Sequence, residues 1–142
     1  MFHISKTFQK KIKPNIPKNN YYISLGIENS SIPRISCSNS IKNCLKGLAN
    51  KINTGDLLYV YNINSNKILS NNEIIKNKYI PFAKYTNEYW ILEEVIPEYI
   101  CKIKIKNKIK NKIVKQKFCS NFLMREIIEW DYEIIKEKKC LK

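Results

Sequence analysis

Glycine is nearly missing from this chain: Gly26, Gly47 and Gly55 are the only three among 142 residues. The shortage excludes a Gly-rich phosphate loop. Both the P-loop and the dinucleotide fingerprint need closely spaced glycines that let the backbone approach a phosphate. Any nucleotide must therefore be held in another way. Histidine is scarcer still, with His3 standing alone. The five cysteines, Cys37, Cys44, Cys101, Cys119 and Cys140, include no C-x-x-C pair. With one histidine they make no structural zinc pattern. Scattered and odd in number, they suit a reducing compartment. No apolar run reaches the ~20 residues of a membrane-spanning helix. The N-terminus lacks the apolar core of a signal peptide. The expectation is a cytosolic protein with no membrane partner.

Arginine is limited to Arg34 and Arg125, so the net charge of +14 is almost all lysine. The chain is rich in Ile, Asn and Lys, a bias often produced by an AT-rich genome. Part of the charge is thus discounted as codon drift. What remains favours nucleic acid, anionic lipid or an acidic protein as partner. Hydrophobic residues at 44% and aromatic residues at 11% predict a folded chain. Its length predicts a single domain, residues 1–142, able to bury a core.

Short strands alternate with loops along the first half. Met1 to Ser5 reads as a strand and Lys6 to Asn20, with Pro14 and Pro17, as a loop. Tyr21 to Leu25 and Arg34 to Ser38 read as further strands, with a turn at Ser30 to Pro33. A helix follows, capped by Ser38 or Asn39. Its apolar positions Ile41, Cys44, Leu45, Leu48, Ala49 and Ile52 form one stripe. Leu57 to Ile63 alternates as a strand should; Glu73 to Ala83 is ambiguous. Trp90 to Val95 and Tyr99 to Ile105 are strands separated at Pro97. Lys102 to Lys117 alternates lysine with Ile and Val and predicts a hairpin turning near Asn107 to Asn111. A C-terminal helix capped by Ser120 or Asn121 is expected, burying Leu123, Ile127, Trp130, Ile134 and Ile135. The sum is a mixed α+β domain.

Three places carry candidate chemistry. In Phe2-His3-Ile4-Ser5 a strand puts His3 and Ser5 on one face, two hydrogen-bonding groups able to hold a ribose or phosphate. At Ile35-Ser36-Cys37-Ser38 a strand runs into a helix. In Thr86-Asn87-Glu88-Tyr89-Trp90-Ile91-Leu92 a lone carboxylate, Glu88, sits where a polar loop becomes an apolar strand. The strand fixes its backbone and the loop side leaves room for a ligand. Glu93 and Glu94 fall inside the expected strand and suit this role less well.

Together these pieces resemble the ADP-ribosyltransferases of the diphtheria-toxin-like His-Tyr-Glu group, nearest the poly(ADP-ribose) polymerase branch and its small bacterial or phage members. Phe2-His3-Ile4-Ser5 resembles the family's His-x-Ser strand, and Asn-Glu-Tyr-apolar-apolar at residues 87 to 91 resembles its catalytic-glutamate strand. The order strand-His, strand-helix, strand-Glu is the family's. The resemblance implies an α+β fold of split antiparallel sheets with one main helix after the second strand. It spans residues 1 to 106, with residues 107–142 adding a hairpin return strand and the C-terminal helix. It implies NAD as substrate and Glu88 as the catalytic residue. The nucleotide would be held by His3, Ser5, the backbone of Ile4, and Ser36 and Ser38. The chain departs from the family at the second piece. Ser36 occupies the slot of the ring-stacking tyrosine, Arg34 replaces a glycine, and Cys37 and Ser38 fill the Phe-Ala slots. Tyr59, Tyr61 or Tyr85 are candidates to supply the missing ring.

Three functions compete. The first is transfer of ADP-ribose to a macromolecule, a host protein or nucleic acid, by a toxin or phage counter-defence protein. The second is a non-catalytic binder that sequesters an NAD-derived nucleotide. The third is a basic nucleic-acid-binding domain using the lysines between Lys102 and Lys117.

Overall fold

The computed structural model describes residues 1–17 and 31–137, without the side chains of Lys136 and Glu137. The elements run β1 (Phe2–Ser5), β2 (Ile35–Cys37), α1 (Ile41–Leu48), β3 (Leu57–Asn62), β4 (Ile68–Leu69), α2 (Asn71–Lys76), α3 (Ala83–Thr86), β5 (Tyr89–Ile91), β6 (Glu98–Phe118) and β7 (Asn121–Glu137). One 3₁₀ turn, Ala49–Lys51, extends α1. The chain is mixed α+β, mostly antiparallel sheet with short helices. The expected strand at Tyr21 to Leu25 lies outside the described residues.

Two antiparallel sheets form the frame. One has the order β1-β3-β6-β7 and the other β2-β5-β4. They meet where Phe2 and Ser38 exchange backbone hydrogen bonds of 2.7 and 2.9 Å. Outside this junction, bridges from the loop after β1 reach Val95 through Ile12 and Arg34 through Asn15. These give the proline-bearing loop backbone partners that it cannot make internally.

Alternation explains the four-stranded sheet. Leu58 and Val60 on β3, with Cys101, Ile103 and Ile105 on β6, are buried against α1, which contributes Leu45. α1 begins at Ser40, whose hydroxyl accepts from the Asn43 N–H at 3.1 Å. The expected cap at Ser38 or Asn39 is thus displaced by one or two residues. The cause is that Ser38 is still bridged to Phe2 and its hydroxyl donates to the Asn87 carbonyl at 3.0 Å. A second cluster holds Ile35, Cys37, Tyr61, Ile63 and Ile91 between the sheets. A third packs Ile74, Ile80 and Ala83 around Trp90. The ambiguous Glu73 to Ala83 stretch resolves into α2, closed by a Ser70–Glu73 capping box, a loop, and the start of α3. The expected strand from Trp90 to Val95 shortens to Tyr89–Ile91.

The C-terminal third corrects the sequence reading twice. No helix forms after Ser120. Asn121–Glu137 is instead β7, paired antiparallel along β6. The hairpin turns at Cys119-Ser120, where Phe118 faces Asn121, and not near Asn107 to Asn111. Cys119 takes the positive φ of 56° that the tight turn requires. Isoleucine, tryptophan and tyrosine between Ile127 and Ile135 suit a pleated surface as well as a helix. The long isoleucine-lysine strand β6 needs a partner for its backbone groups, and pairing decides the outcome. The polar Asn107 to Asn111 stretch is absorbed as register shifts between Ile105, Lys108 and Lys110, an extra-residue device that bends the ribbon instead of ending it.

Candidate functional site

β7 and α1 wall a cavity. β7 crosses α1, so that Trp130 Nε1 donates to the Ala49 carbonyl at 3.0 Å and Arg125 reaches the Lys46 and Gly47 carbonyls at 3.5 and 3.4 Å. Between this wall and the strand junction lies a cavity of about 670 Å³, within the range of small-molecule sites. His3, Ile4, Ser36, Ser38 and Glu88 all line it, joined by Arg34, Asn43, Lys51, Thr86 and Arg125. Five of the six residues singled out from the sequence are therefore brought together. Ser5 is not among the lining residues. Its hydroxyl accepts from the Thr7 N–H at 3.2 Å and the Gln9 side chain at 3.0 Å, shaping the loop after β1.

Glu88 is held from several sides. It precedes β5, two residues from Trp90, so both side chains fall on one face. Trp90 is fully buried and its Nε1 donates to Glu88 Oε2 at 2.5 Å. Burial pushes the Glu88 carboxyl above its ordinary value, while Trp90, the Arg34 and Arg125 guanidiniums and Ser36 pull it back. Burial wins because it acts on the whole carboxylate, whereas each partner compensates in part. The backbone is pinned as well. Asn71, itself buried, donates through Nδ2 to the Glu88 and Ala83 carbonyls at 3.0 Å each. Asn87 just before takes φ of 52°, a conformation that asparagine tolerates better than most residues.

His3 has a fixed ring. Its Nδ1 lies 2.8 Å from the Ser36 carbonyl oxygen. A carbonyl only accepts, so Nδ1 carries the proton and Nε2 keeps a lone pair in the neutral form. Burial lowers the His3 pKa below 6.5, outweighing the carbonyl bond that raises it. The cavity thus presents a neutral imidazole, a carboxylate and hydroxyls on one side. The guanidiniums of Arg34 and Arg125 stand beside them. Arg34 is nearly buried and lies 4.1 Å from the centre of the Trp90 ring.

Cys37 and Cys44 also border the cavity, but burial pushes both thiols up to about 12. They are protonated near neutrality and are poor nucleophiles. Among the described residues no His/Cys/Asp/Glu group has a metal-holding arrangement. No helix among them is long and apolar enough to cross a membrane.

Sequence reasoning missed the cationic half of the site. Arg34 was noticed only as a departure from a glycine. Arg125 comes from the strand that was expected to be a helix, so its position over α1 had no local signal. Trp90 had one: its two-residue spacing from Glu88. No family model, no curated protein and no solved structure matches this chain.

Proposed function

We propose that the chain is an ADP-ribosyltransferase that takes NAD into the cavity and passes ADP-ribose to a macromolecule. The observation that carries this reading is the convergence of His3, Ser36 and Glu88 on one cavity from three separate strand regions. The two antiparallel sheets, with one main helix after β2, agree with the architecture the resemblance implies. In this reading His3 Nε2 accepts from a ribose hydroxyl. Glu88 accepts from the 2'-hydroxyl of the ribose whose bond to nicotinamide breaks. Breaking that bond leaves positive charge on the sugar, and a fixed carboxylate stabilises the charge most where it is greatest. The Trp90 bond to the carboxylate and the Asn71 bond to the backbone hold Glu88 in place, so little reorganisation accompanies the step. The acceptor group attacks the ribose carbon as nicotinamide departs with the bonding electrons.

One specific observation favours the second reading, a binder that does not cleave. Among the described residues the cavity wall contains no phenylalanine, tyrosine or tryptophan. Tyr59 and Tyr61 group with Tyr99, Tyr61 standing 6.5 Å from the His3 ring without lining the cavity, and Tyr85 lies beside Phe82. The described wall thus offers nicotinamide no stacking platform of the kind the family's tyrosine supplies. Incubation of the pure protein with NAD, with and without cell lysate, followed by mass spectrometry, decides between them. The enzyme releases nicotinamide or leaves an added ADP-ribose, and Glu88→Gln loses this by a factor of about 100 or more. Intact NAD that still binds, in both the wild type and Glu88→Gln, overturns catalysis and leaves the sequestering function.

A further inference from the structure

The four-stranded sheet has a second face, away from α1. At its inner end this face is covered, with Tyr61 and Ile63 buried against β2 and β5. Towards Leu57 it opens. Tyr59 is paired with Lys102 and Leu57 with Lys104 across β3 and β6, and directly opposed residues point to the same side. Buried Cys101, Ile103 and Ile105 point the other way. Lys102, Lys104 and Lys106 therefore stand in a row on the open face. Phe8, from the loop after β1, lies edge-on to Tyr59 at 5.8 Å and to Tyr99 at 5.6 Å, and is 53% exposed. Lys102 Nζ sits 5.3 Å from the centre of the Tyr59 ring.

We propose that this open face, built from Phe8, Tyr59, Tyr99, Lys102 and Lys104, binds single-stranded nucleic acid. Aromatic rings on a sheet interleaved with lysines match an unpaired strand: bases stack on the rings and phosphates meet the ammonium groups. Phe8 is left about half in water, and Tyr59 and Tyr99 beside it are only partly buried, so the three rings keep an open edge together. Among the described residues neither Lys102 nor Lys104 makes an ion pair within 4.0 Å, although Glu133 stands opposite Lys104 on β7. Lys106 has Glu133 at 3.8 Å, a pair about half exposed on both sides and so weakly held. Glu98 lies at the far end of the face beside Asn62. A duplex keeps its bases stacked internally, so it offers the rings nothing and engages lysines alone. The site is separate from the cavity and does not depend on what the cavity binds.

The test is fluorescence anisotropy with labelled oligothymidine and oligouridine of about 20 nucleotides, a duplex of equal length, and phosphatidylserine vesicles as competitor. The expected result is tighter binding of the single strands than of the duplex. The double variant Lys102→Gln with Lys104→Gln weakens it about tenfold at low salt and reduces the salt slope by roughly 0.7 per lysine. Phe8→Ala, a change to a ring already largely exposed, weakens it about fivefold at every salt concentration. The control Lys110→Gln with Lys112→Gln, further along β6, changes it less than about twofold. Circular dichroism melts confirm that each variant is folded. Equal binding of duplex, equal losses in the control pair, displacement by vesicles at equivalent charge, or no binding each overturns the proposal.

Discussion

Glu88 shows how one residue serves two opposed demands. A carboxylate useful to a sugar cation is set in a poor solvent for charge, which costs the fold stability. Its folded pKa is raised from 4.5, so on raising the pH the unfolded chain gives up this proton first. The stability contributed by protonated Glu88 is full below 4.5 and is lost as pH rises through the raised folded value. Glu88→Gln keeps an acceptor for Trp90 and removes the titration. Thermal melts are expected to show Glu88→Gln gaining on the wild type as pH increases from about 4 to about 8. A gap that shrinks over that range contradicts the burial. His3 runs in the opposite direction, though burial is again the cause. Its pKa is lowered from 6.5, so stability is present above 6.5 and is lost as pH falls through the lowered folded value. In melts over the same range, His3→Gln is expected to lose less than the wild type as the medium is acidified. At this scale the sequence was readable where local grammar sufficed: His3, Ser36, Ser38 and Glu88 each belong to a strand or to its edge. Arg125 was not readable, because only the crossing of β7 over α1 brings it to the cavity.

At the scale of elements, hydrophobic spacing served the short strands and α1 well and misled at the C-terminus. Leu123, Ile127, Trp130 and Ile134 recur at helical intervals, yet Ile127 and Ile128 are adjacent and both buried. Such adjacency fits a bent ribbon with shifted register, which a helical wheel does not register. The partner that settles the matter, β6, was itself split by an expected turn. Its lysines explain how so long an edge survives. Beyond Ile105, which still bonds the backbone of Gly55 and Asp56, β6 has no strand partner on its β3 side among the described residues, and lysine along an open edge discourages pairing with another chain. The end of α1 carries a cost of its own. Ala49 adopts φ of 50° and ψ of −122°, a region that costs a residue with a Cβ about 1–3 kcal/mol. Its carbonyl is tied to Trp130, which holds it there. Ala49→Gly is expected to stabilise the protein by about 1 kcal/mol after the entropy of glycine is subtracted. Urea unfolding with an unchanged slope and a higher midpoint is the expected signature; a lower midpoint refutes the strain.

Across the whole molecule, the cavity is the place where separately built parts meet. His3 and Ile4 belong to the four-stranded sheet, Ser36 to the three-stranded sheet, and Arg125 to the outer strand of the ribbon. The two sheets share little backbone, mainly the Phe2–Ser38 exchange. A ligand filling the cavity touches all three parts at once, and the unfolded chain has no such site. Binding therefore adds to the stability of the entire fold by mass action, about 2.7 kcal/mol when free ligand is a hundred times its Kd. NAD is expected to raise the Tm continuously with the logarithm of its concentration and to leave a single transition. Arg125→Ala tests whether the ribbon takes part. It removes long contacts to the helix carbonyls and one of the two guanidiniums that offset the burial of Glu88, so the Tm without NAD should fall modestly. If Arg125 faces the phosphates of the ligand, the NAD-dependent rise should shrink to a small fraction of the wild-type value. A rise unaffected by Arg125→Ala would confine the ligand to the sheet junction around His3, Ser36 and Glu88. A Tm indifferent to NAD in the wild type as well would remove NAD from the cavity altogether.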